Sequence, residues 1–462
     1  MSDISPTSCE HVEPVTAPGF VDRWARKAVM GLLAHVREGC ITLRDVTGCE
    51  WESGAGAKAR SSGNQARDGE PVSVGSPSVH TFGEARSDFD LSVTMTIHHP
   101  RFYRRVAMGG NAAVGDAYGD GDWSCDDLAA LVRILSRHAD IVEASERGLG
   151  RVGAVMMRFI HALRANTKKG SRRNISAHYD AGNDFFEYVL DPSLSYSCAV
   201  FEDDSSTLYD ASMAKLKRVC EKLRLTPDDH LLEIGTGWGG LAMYAAEHYG
   251  CHVTTTTISR NQYDYAAARI KAAGLEDRIT LVMQDYRELR GQFDKLVSIE
   301  MIEAVGERYY NEFFRQCSSL LKPDGQMLIQ AITIGDHRYD RAKNRVDFIK
   351  RFIFPGSCIP SITRLNKSVA GFTDLRLVHL EDITPHYATT LRHWRENMLA
   401  SLDSIRALGY SERFIRLWEY YFAYCEGGFA ERFIGDVQLL FAKPRCRVAA
   451  PLTSTPLSLI NH

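Results

Sequence analysis

The sequence predicts an α/β fold with a parallel sheet and crossover helices, preceded by a small α+β domain. Through the carboxyl-terminal two-thirds of the chain, short apolar runs alternate with amphipathic helical segments, as in strand–helix–strand units. A glycine-rich turn at 235–240 joins one of these strands to the next helix. The length of 462 residues, with 44% hydrophobic residues, is sufficient for two or more packed cores.

The elements of the larger domain follow from hydrophobic periodicity. Strands are predicted at 230–235, 252–257, 279–284, 294–300, 326–333, 375–382 and 437–443, and helices at 206–224, 239–249, 260–273 and 307–321. Three further segments, 336–370, 388–408 and 411–424, interrupt this alternation. We expect these insertions to form a helical lid over the carboxyl ends of the strands, where open α/β sheets bind ligands.

The amino-terminal part of the chain is predicted to form a separate α+β domain over 20–150. It should contain a helix and a strand within 21–43, a strand over 88–98, and helices from 100 to 163 with a turn-rich interruption at 109–123. Composition predicts the remaining segments: a disordered leader at 1–19, a flexible loop at 53–78, a basic linker at 151–175, the larger domain at 176–445, and a tail at 446–462.

Charge and cysteine usage exclude several classes of protein. A formal net charge of −3 argues against nucleic-acid binding through the overall field. The eleven cysteines occur singly, without the spacing of a zinc site or a disulfide framework, so no metal is expected. The first 18 residues are polar and no apolar run is long enough to span a bilayer, which predicts a cytoplasmic protein.

The glycine-rich turn predicts a cofactor loop. Glu233 closes a short apolar strand, and Gly235, Gly237 and Gly239 follow at alternate positions before a helix begins. Glycines let the backbone approach a ligand closely, and the first turn of the helix offers free N–H groups. An acidic residue before G-x-G-x-G is typical of S-adenosylmethionine-dependent methyltransferases, whereas a glycine turn with no ligand is the alternative.

Several independent motifs together resemble the cyclopropane-fatty-acyl-phospholipid synthases, which include the mycolic acid cyclopropane synthases. The resemblance covers about 165–445 and implies a Rossmann-like class I methyltransferase sheet. Its motifs are HYDAGNDFF at 178–186, LSYSCA at 194–199, EIGTGWGG at 233–240, TISRNQ at 257–262 and IEMIEAVG at 299–306. Weaker matches in the first domain are PRFY at 100–103 and YGDGDW at 118–123.

The resemblance implies transfer of a methyl group from S-adenosylmethionine to a cis double bond in a phospholipid acyl chain, followed by ring closure. The carbocation formed on the way must be kept from water and can be stabilised by aromatic faces. Candidates for those faces, each of which could equally be ordinary helix packing, are Phe352, Phe354, Tyr387, Trp394, Trp418, Tyr420, Tyr421, Phe422 and Tyr424.

The resemblance also implies bicarbonate as the base that removes the proton. The matching positions are Cys198 through its backbone, Glu303 holding bicarbonate in its protonated form, Ile332 through its backbone, and Tyr387 through its hydroxyl. Many family members have a histidine where this chain has Gln330, so we expect Gln330 to orient bicarbonate without exchanging a proton. This departure leaves ring closure open.

The cofactor site is implied in the same way. The three glycines of the loop should lie under the methionine moiety, and residues at the ends of neighbouring strands should hold the ribose and adenine. The implied contacts are Tyr196 and Ser197 closing over the methionine, Thr257 and Gln262 near the ribose, and Gln284 or Asp285 at the adenine amine. Each of the polar residues could instead cap a strand end or form a turn.

The expected partner is unsaturated phospholipid, reached by peripheral contact with the inner face of the membrane, and a homodimer is a further expectation. The basic residues Lys168, Lys169, Arg172 and Arg173 could meet anionic headgroups or form a solvated linker. The PRFY segment at 100–103 could lie at a bilayer interface or be buried. The alternatives are a lipid methyltransferase that gives a methylene or methyl-branched chain, a small-molecule N-methyltransferase, and a lipid-binding protein without chemistry.

Overall fold

The computed structural model describes residues 19–48, 51, 77–138 and 182–447. The chain divides into two compact units, residues 1–150 and 151–462. Four predicted segments lie wholly or largely outside the described residues: the leader (1–18), the flexible loop (53–76), the basic linker with its lysines and arginines (151–175), and the tail from 448. The first four residues of the HYDAGNDFF motif, 178–181, lie outside them as well.

The first unit combines a four-stranded sheet with three described helices. Its elements are α1 (Phe20–Leu33), β1 (Cys40–Asp45), β2 (Ser78–Phe82), β3 (Ser92–Ile97), α2 (Arg101–Gly119), β4 (Trp123–Cys125) and α3 (Leu128–Arg137). The strand order is β2-β1-β3-β4, and only the β1–β3 pair is parallel. The helix and two strands that the sequence predicts in this region are present.

The structure corrects the turn-rich prediction for 109–123 and decides between the two alternatives for the PRFY segment. Helix α2 continues through most of the segment that was predicted to be turn-rich, with a kink at Gly110, where φ is +59°. Small residues along this helix are buried, so close packing favours the helix despite its glycines. Phe102 and Tyr103 are core residues, 2% and 0% exposed, and the Tyr103 hydroxyl donates to Asp45 at 2.7 Å. The buried alternative for the PRFY segment is therefore correct.

The second unit contains a seven-stranded sheet. Its strands are β5 (His230–Ile234), β6 (His252–Thr257), β7 (Ile279–Met283), β8 (Phe293–Ile299), β9 (Leu321–Ile334), β10 (Arg376–Asp382) and β11 (Ile434–Ala442). The order across the sheet is β10-β11-β9-β8-β5-β6-β7. Strands β5 to β9 run parallel to one another. Strand β11 runs antiparallel to both β9 and β10, which corrects the prediction of a wholly parallel sheet.

Helices cover both faces of this sheet and its carboxyl edge. They are α4 (Asn183–Val189), α5 (Leu208–Leu223), α6 (Gly240–Tyr249), α7 (Arg260–Ala272), α8 (Ile302–Val305), α9 (Tyr310–Leu320), α10 (Asp336–Ala342), α11 (Ile362–Phe372), α12 (Thr384–Ala400), α13 (Leu402–Ala407) and α14 (Glu412–Ala430), with a π-helical turn at Ile349–Ile353. Polar N-cap residues stabilise the first turns of several helices. The side chains of Thr207, Ser259 and Ser411 accept hydrogen bonds from backbone amides of those turns.

Two apolar cores hold the layers together. One lies between the sheet and the side formed by α9 and α11, and includes Phe313, Phe314 and Leu365. The other lies between the sheet and α5 and α6, and includes Leu216 and Ala242. Helices α10 to α14 come from the predicted insertions, and α12 reaches the end of β8 through Tyr387. The α/β fold class with helical lid insertions is therefore confirmed.

Candidate active site

The glycine loop adopts backbone conformations that require glycine. It follows β5, and φ is +105° at Gly235, +54° at Gly237 and +88° at Gly239. A Cβ atom on Gly237 would meet no atom of the described residues within 4 Å, so open space lies beside the backbone there. Helix α6 begins directly after the loop, and the N-terminus of a helix offers amide groups to a ligand. This loop fits the methionine end of S-adenosylmethionine.

Glu233, at the end of β5, is enclosed beneath the loop. It is 3% exposed, and its carboxyl group accepts a hydrogen bond from the Thr255 hydroxyl at 2.5 Å. Burial raises the pKa of Glu233 to about 8, which the Thr255 hydrogen bond and the charge of Lys215 only partly oppose. Lys215 is also buried, and its ammonium donates to the Ser197 hydroxyl at 3.0 Å. Ser197 thus lies next to a buried lysine whose pKa is lowered by burial, a contact that the sequence did not predict.

The predicted ribose and adenine residues lie at the ends of β6 and β7. The Thr257 hydroxyl donates to the side-chain oxygen of Gln262 at 3.0 Å, and both residues are buried. Gln284 donates through its side-chain amide to the Glu288 carbonyl at 3.0 Å. Asp285 accepts from Arg287 at 2.8 and 2.7 Å, one hydrogen bond on each oxygen. Their contacts with the cofactor stay predictions, and Asp285 would meet an adenine amine as one half of an ion pair.

Five aromatic rings form a continuous series from the glycine loop to the end of β8, which we call the aromatic row. Neighbouring ring centroids are 4.9, 5.1, 5.0 and 6.1 Å apart. The row consists, in spatial order, of Trp238, Phe186, Tyr196, Trp394 and Tyr387. Tyr196 therefore lies in the middle of the site, and its hydroxyl is 3.0 Å from that of Tyr421.

The structure divides the predicted aromatic candidates into two groups. Trp418, Tyr421 and Phe422 pack against one another and extend the aromatic row, since Trp418 contacts Phe186 and Phe422 contacts Trp394. Phe354 contacts this group through Tyr421 at 6.0 Å. The others pack around Phe348 in a separate cluster that consists of Phe352, Tyr420 and Tyr424.

Three of the predicted catalytic groups converge on one carboxylate, that of Glu300. The Cys198 amide and the Gln330 side-chain amide donate to its Oε1 at 2.8 and 2.7 Å. The Tyr387 hydroxyl donates to its Oε2 at 2.5 Å. Burial raises the pKa of Glu300, while these hydrogen bonds and one from Asp436 oppose the shift. Glu300 was part of a quoted motif, but no role was predicted for it.

Glu303 lies three residues after Glu300, in the short helix α8. Its Oε1 accepts from the Ile332 amide at 2.5 Å, and its Oε2 has no hydrogen-bond partner among the described residues. Burial, and then the nearby charge of Glu300, raise the pKa of Glu303 to about 8. The predicted pairing of Glu303 and the Ile332 backbone in one site is thus present as a direct hydrogen bond between the two.

A column of polar side chains crosses the sheet from this site to the surface, and we call it the polar column. Gln330 on β9 lies directly opposite Gln438 on β11, and Gln438 donates to Gln330 at 2.9 Å. Gln438 in turn accepts from Lys222 at 2.6 Å, and Lys222 pairs with Glu381 on β10. The polar column thus fixes the side-chain oxygen of Gln330, while the side-chain nitrogen of Gln330 donates to Glu300.

Asp436 is the second acid in contact with this centre. It lies two residues before Gln438 on β11, is fully buried, and hydrogen-bonds to Glu300. Burial, followed by the charges of Glu300 and Glu303, raises the pKa of Asp436 well above its ordinary value. An acid in an otherwise apolar strand, with Gln438 on the same face, is the sequence signal that could have revealed it.

The predicted bicarbonate site does not fit the residues present. Three of the predicted donors end on Glu300, and the fourth, the Ile332 amide, ends on Glu303. A second anion here would have to displace one carboxylate from its donors and lie beside the other, at a cost in like-charge repulsion. The Glu300 carboxylate accepts from three of the groups that were predicted to hold bicarbonate.

This strand order, with a glycine loop after the interior strand β5, defines a class I S-adenosylmethionine-dependent methyltransferase. A family model for Mycolic acid cyclopropane synthetase matches residues 166–439. The chain therefore belongs to the mycolic acid cyclopropane synthase family, and it is an S-adenosylmethionine-dependent methyltransferase of the cyclopropane synthase type.

Individual relatives agree with this family. Tuberculostearic acid methyltransferase UfaA1 of Mycobacterium tuberculosis is 36% identical, covering 78% of this chain and 86% of the relative. Cyclopropane-fatty-acyl-phospholipid synthase of Escherichia coli is 37% identical, covering 75% and 87%. The crystal structure of mycolic acid cyclopropane synthase CmaA1 complexed with SAH and CTAB has a TM-score of 0.55 at 31% identity, covering 59% of this chain and 98% of that one.

Proposed function

We propose that the protein alkylates the cis double bond of an unsaturated acyl chain in a membrane phospholipid and that the product is a cyclopropane. The observation that carries this proposal is the aromatic row, which leads from the glycine loop to Tyr387 and the Glu300 carboxylate. The relatives reported above are all named for acyl lipids, which supports a lipid substrate.

The chemistry of an isolated alkene explains why such a site is needed. S-adenosylmethionine, when bound, supplies an electrophilic methyl group. An alkene is a weak nucleophile, so the chain's main contribution is to hold the double bond in line with that methyl group. The aromatic row excludes water and presents π faces to the positive charge that develops on the acyl chain. The proton then leaves to a nearby base.

A lipid methyltransferase that gives a methylene or methyl-branched chain is the second candidate. The identity to the tuberculostearic acid methyltransferase, 36%, is almost the same as that to the cyclopropane synthase, 37%, so similarity does not separate the two products. Both candidate reactions begin with the same methyl transfer. They differ in whether the resulting carbocation closes to a ring or gives a methylene or methyl branch. The product therefore has to be measured.

The place of the reaction is part of the proposal. Among the residues that the structure describes, no helix has the length and apolar character needed to cross a membrane. We propose that the protein reaches its phospholipid by peripheral contact with the inner face of the membrane, and that it acts as a homodimer. Flotation of the protein with phospholipid vesicles and its mass by light scattering test these two points.

The test is to incubate the purified full-length protein with cis-unsaturated phospholipid vesicles and methyl-labelled S-adenosylmethionine. Mass spectrometry measures the added carbon, and proton NMR distinguishes a cyclopropane from an isomeric methylene group by the upfield ring protons. We expect ring protons and no transfer to vesicles of fully saturated phospholipid. A methylene product supports the second candidate. Transfer only to amines, or none to lipid, contradicts both.

A further inference from the structure

We infer that the Glu300 carboxylate itself removes the proton from the alkylated acyl chain, in the place where bicarbonate was predicted. This inference rests on the proposed function, because it names the base for the same reaction. A carboxylate and bicarbonate present the same planar O–C–O fork, so donors arranged for one also suit the other. Three such donors already converge on Glu300 at 2.5–2.8 Å.

The backbone places Glu300 beside the cofactor loop. Glu300 directly follows β8, which pairs with β5, the strand that leads into the loop. The Ser298 hydroxyl donates to the Ile234 carbonyl at 2.9 Å, and a Cβ on Gly235 would touch Met301 at 3.5 Å. Glu300 itself has φ of +47°, a left-handed conformation that is strained for a non-glycine residue. Such strain is retained where the position of a side chain matters.

Glu300 is more exposed than the groups that donate to it. Its donors are buried, with Cys198 and Gln330 0% and Tyr387 4% exposed, whereas Glu300 as a whole residue has intermediate exposure. We place the acyl chain on the side of the carboxylate that lies away from these donors. A general base has to come within hydrogen-bond reach of the carbon-bound proton, and only an open side allows that contact.

Asp436 completes the arrangement as a positioning residue. Two buried carboxyl groups in contact cannot both ionise, so the pair holds one proton. Glu300 receives three donors at 2.5–2.8 Å that stabilise its anion, whereas Asp436 receives one longer hydrogen bond, from the Gln330 amide to Oδ2 at 3.3 Å, and none on Oδ1 from the described residues. The proton therefore lies on Asp436, and Glu300 remains a carboxylate that can accept another.

The step balances without any further reactant. The π electron pair of the alkene forms the new bond to the methyl carbon, and the electron pair of the broken C–S bond stays on sulfur. The other alkene carbon becomes the cation. A proton from the new methyl group passes to Glu300, and the electron pair of that C–H bond closes the third side of the ring. Glu300 then returns the proton to solvent.

The experiment compares the wild-type protein with Glu300→Gln and Glu300→Gly in bicarbonate-depleted buffer, with and without added bicarbonate. Wild-type product formation should change by no more than about twofold, because the base belongs to the chain. Glu300→Gln should lose at least about a hundredfold and stay inactive when bicarbonate is added. Glu300→Gly should regain activity with bicarbonate, because the vacated fork of donors can accept it.

Folding controls accompany these variants. Glycine relieves the positive φ at position 300 but leaves three donors without their acceptor, so thermal unfolding should show a lower Tm for Glu300→Gly with a single cooperative transition. All variants should bind S-adenosylhomocysteine by calorimetry. The matched control is Glu307→Gln, a half-buried acid of the following segment that pairs with Arg364 at 3.5 Å. It should behave as the wild type does toward bicarbonate.

A second measurement keeps this inference separate from the proposed function. NMR line broadening of ¹³C-labelled bicarbonate reports binding whether or not lipid is converted, and we expect it for Glu300→Gly and not for the wild type. Wild-type activity that needs bicarbonate, wild-type binding of bicarbonate, or an active Glu300→Gln overturns the inference. Absence of any alkylated lipid from the wild type overturns the proposed function instead.

Discussion

At the scale of single residues, Glu303 has a buried carboxyl group with one oxygen bound to the Ile332 amide and the other without a donor among the described residues. The surroundings therefore favour its neutral form. Its pKa rises from 4.5 to about 8, so between these values the folded protein holds a proton that the unfolded chain releases. Stability should fall as pH rises through this window, because the unfolded state then binds fewer protons.

We predict that Glu303→Gln removes this pH dependence. Glutamine keeps an oxygen for the Ile332 amide but cannot ionise. Below about pH 4.5 the two proteins should differ little, and above about pH 8 the variant should be the more stable by on the order of 5 kcal/mol. Urea unfolding at a series of pH values measures the difference. Parallel curves for the two proteins across the window would show that Glu303 ionises as freely in the folded state as in the unfolded one.

The sequence led to many, but not all, of the residues that meet at the site. The resemblance pointed to Cys198, Gln330 and Tyr387, which the structure brings together although they come from three distant segments. Glu300 was missed because its importance depends on which donors surround it, and donors from separate strands and helices are not visible in local spacing. Asp436 was missed because the predicted strand, 437–443, begins one residue after it, whereas β11 begins at Ile434.

At the scale of elements, the glycine loop depends on residues with positive φ values. Two glycine substitutions distinguish the effect of backbone strain on stability from the effect of a side chain on cofactor binding. Gly237→Ala should cost about 1 kcal/mol of stability and weaken S-adenosylhomocysteine binding at least about tenfold, because its Cβ would enter the open space beside the loop. Gly274→Ala is the matched control, since φ there is +66° and no described atom lies within 4 Å of its Cβ.

Calorimetric titration and thermal unfolding of both variants provide the comparison. Both should lose similar stability, and only Gly237→Ala should lose affinity. Equal affinity in the two variants would mean that the cofactor does not lie against Gly237.

The positions of the strands were predicted better than the directions in which they run. Strands β5 to β8 begin and end within about one residue of their predicted limits, because a continuous apolar run bounded by turns marks a buried strand. The antiparallel direction of β11 was not predicted, since hydrophobic periodicity is the same in both directions along a strand. Helix α2 was underestimated because glycine and alanine signal a turn locally while tertiary packing keeps the helix.

At the scale of the whole molecule, the polar column connects the site to a surface ion pair through the middle of the sheet. Gln438→Leu should leave the side-chain oxygen of Gln330 without its donor and should cost about 2–4 kcal/mol of stability. Product formation should also fall, because Gln330 then no longer holds Glu300 in a fixed orientation. Denaturant unfolding and the labelled-lipid assay measure the two effects.

Another buried amide on β9, four residues before Gln330, offers a matched control. Gln326 is 1% exposed and accepts from Lys295 at 2.9 Å, in the same manner as Gln438 accepts from Lys222. Gln326→Leu should lose a similar amount of stability and retain product formation. If both variants lose activity in proportion to stability, the column has only a structural role.

The burial of Cys198 has a consequence for the durability of the protein. Burial, followed by the charges of Asp436 and Glu300, raises the pKa of Cys198 well above its ordinary value, and its Sγ–H donates to the Ala199 carbonyl. The sulfur thus remains a neutral thiol, which reacts far more slowly than a thiolate. A protein that handles a reactive sulfonium can in this way keep a sulfur atom of its own close by and escape self-inactivation over many turnovers.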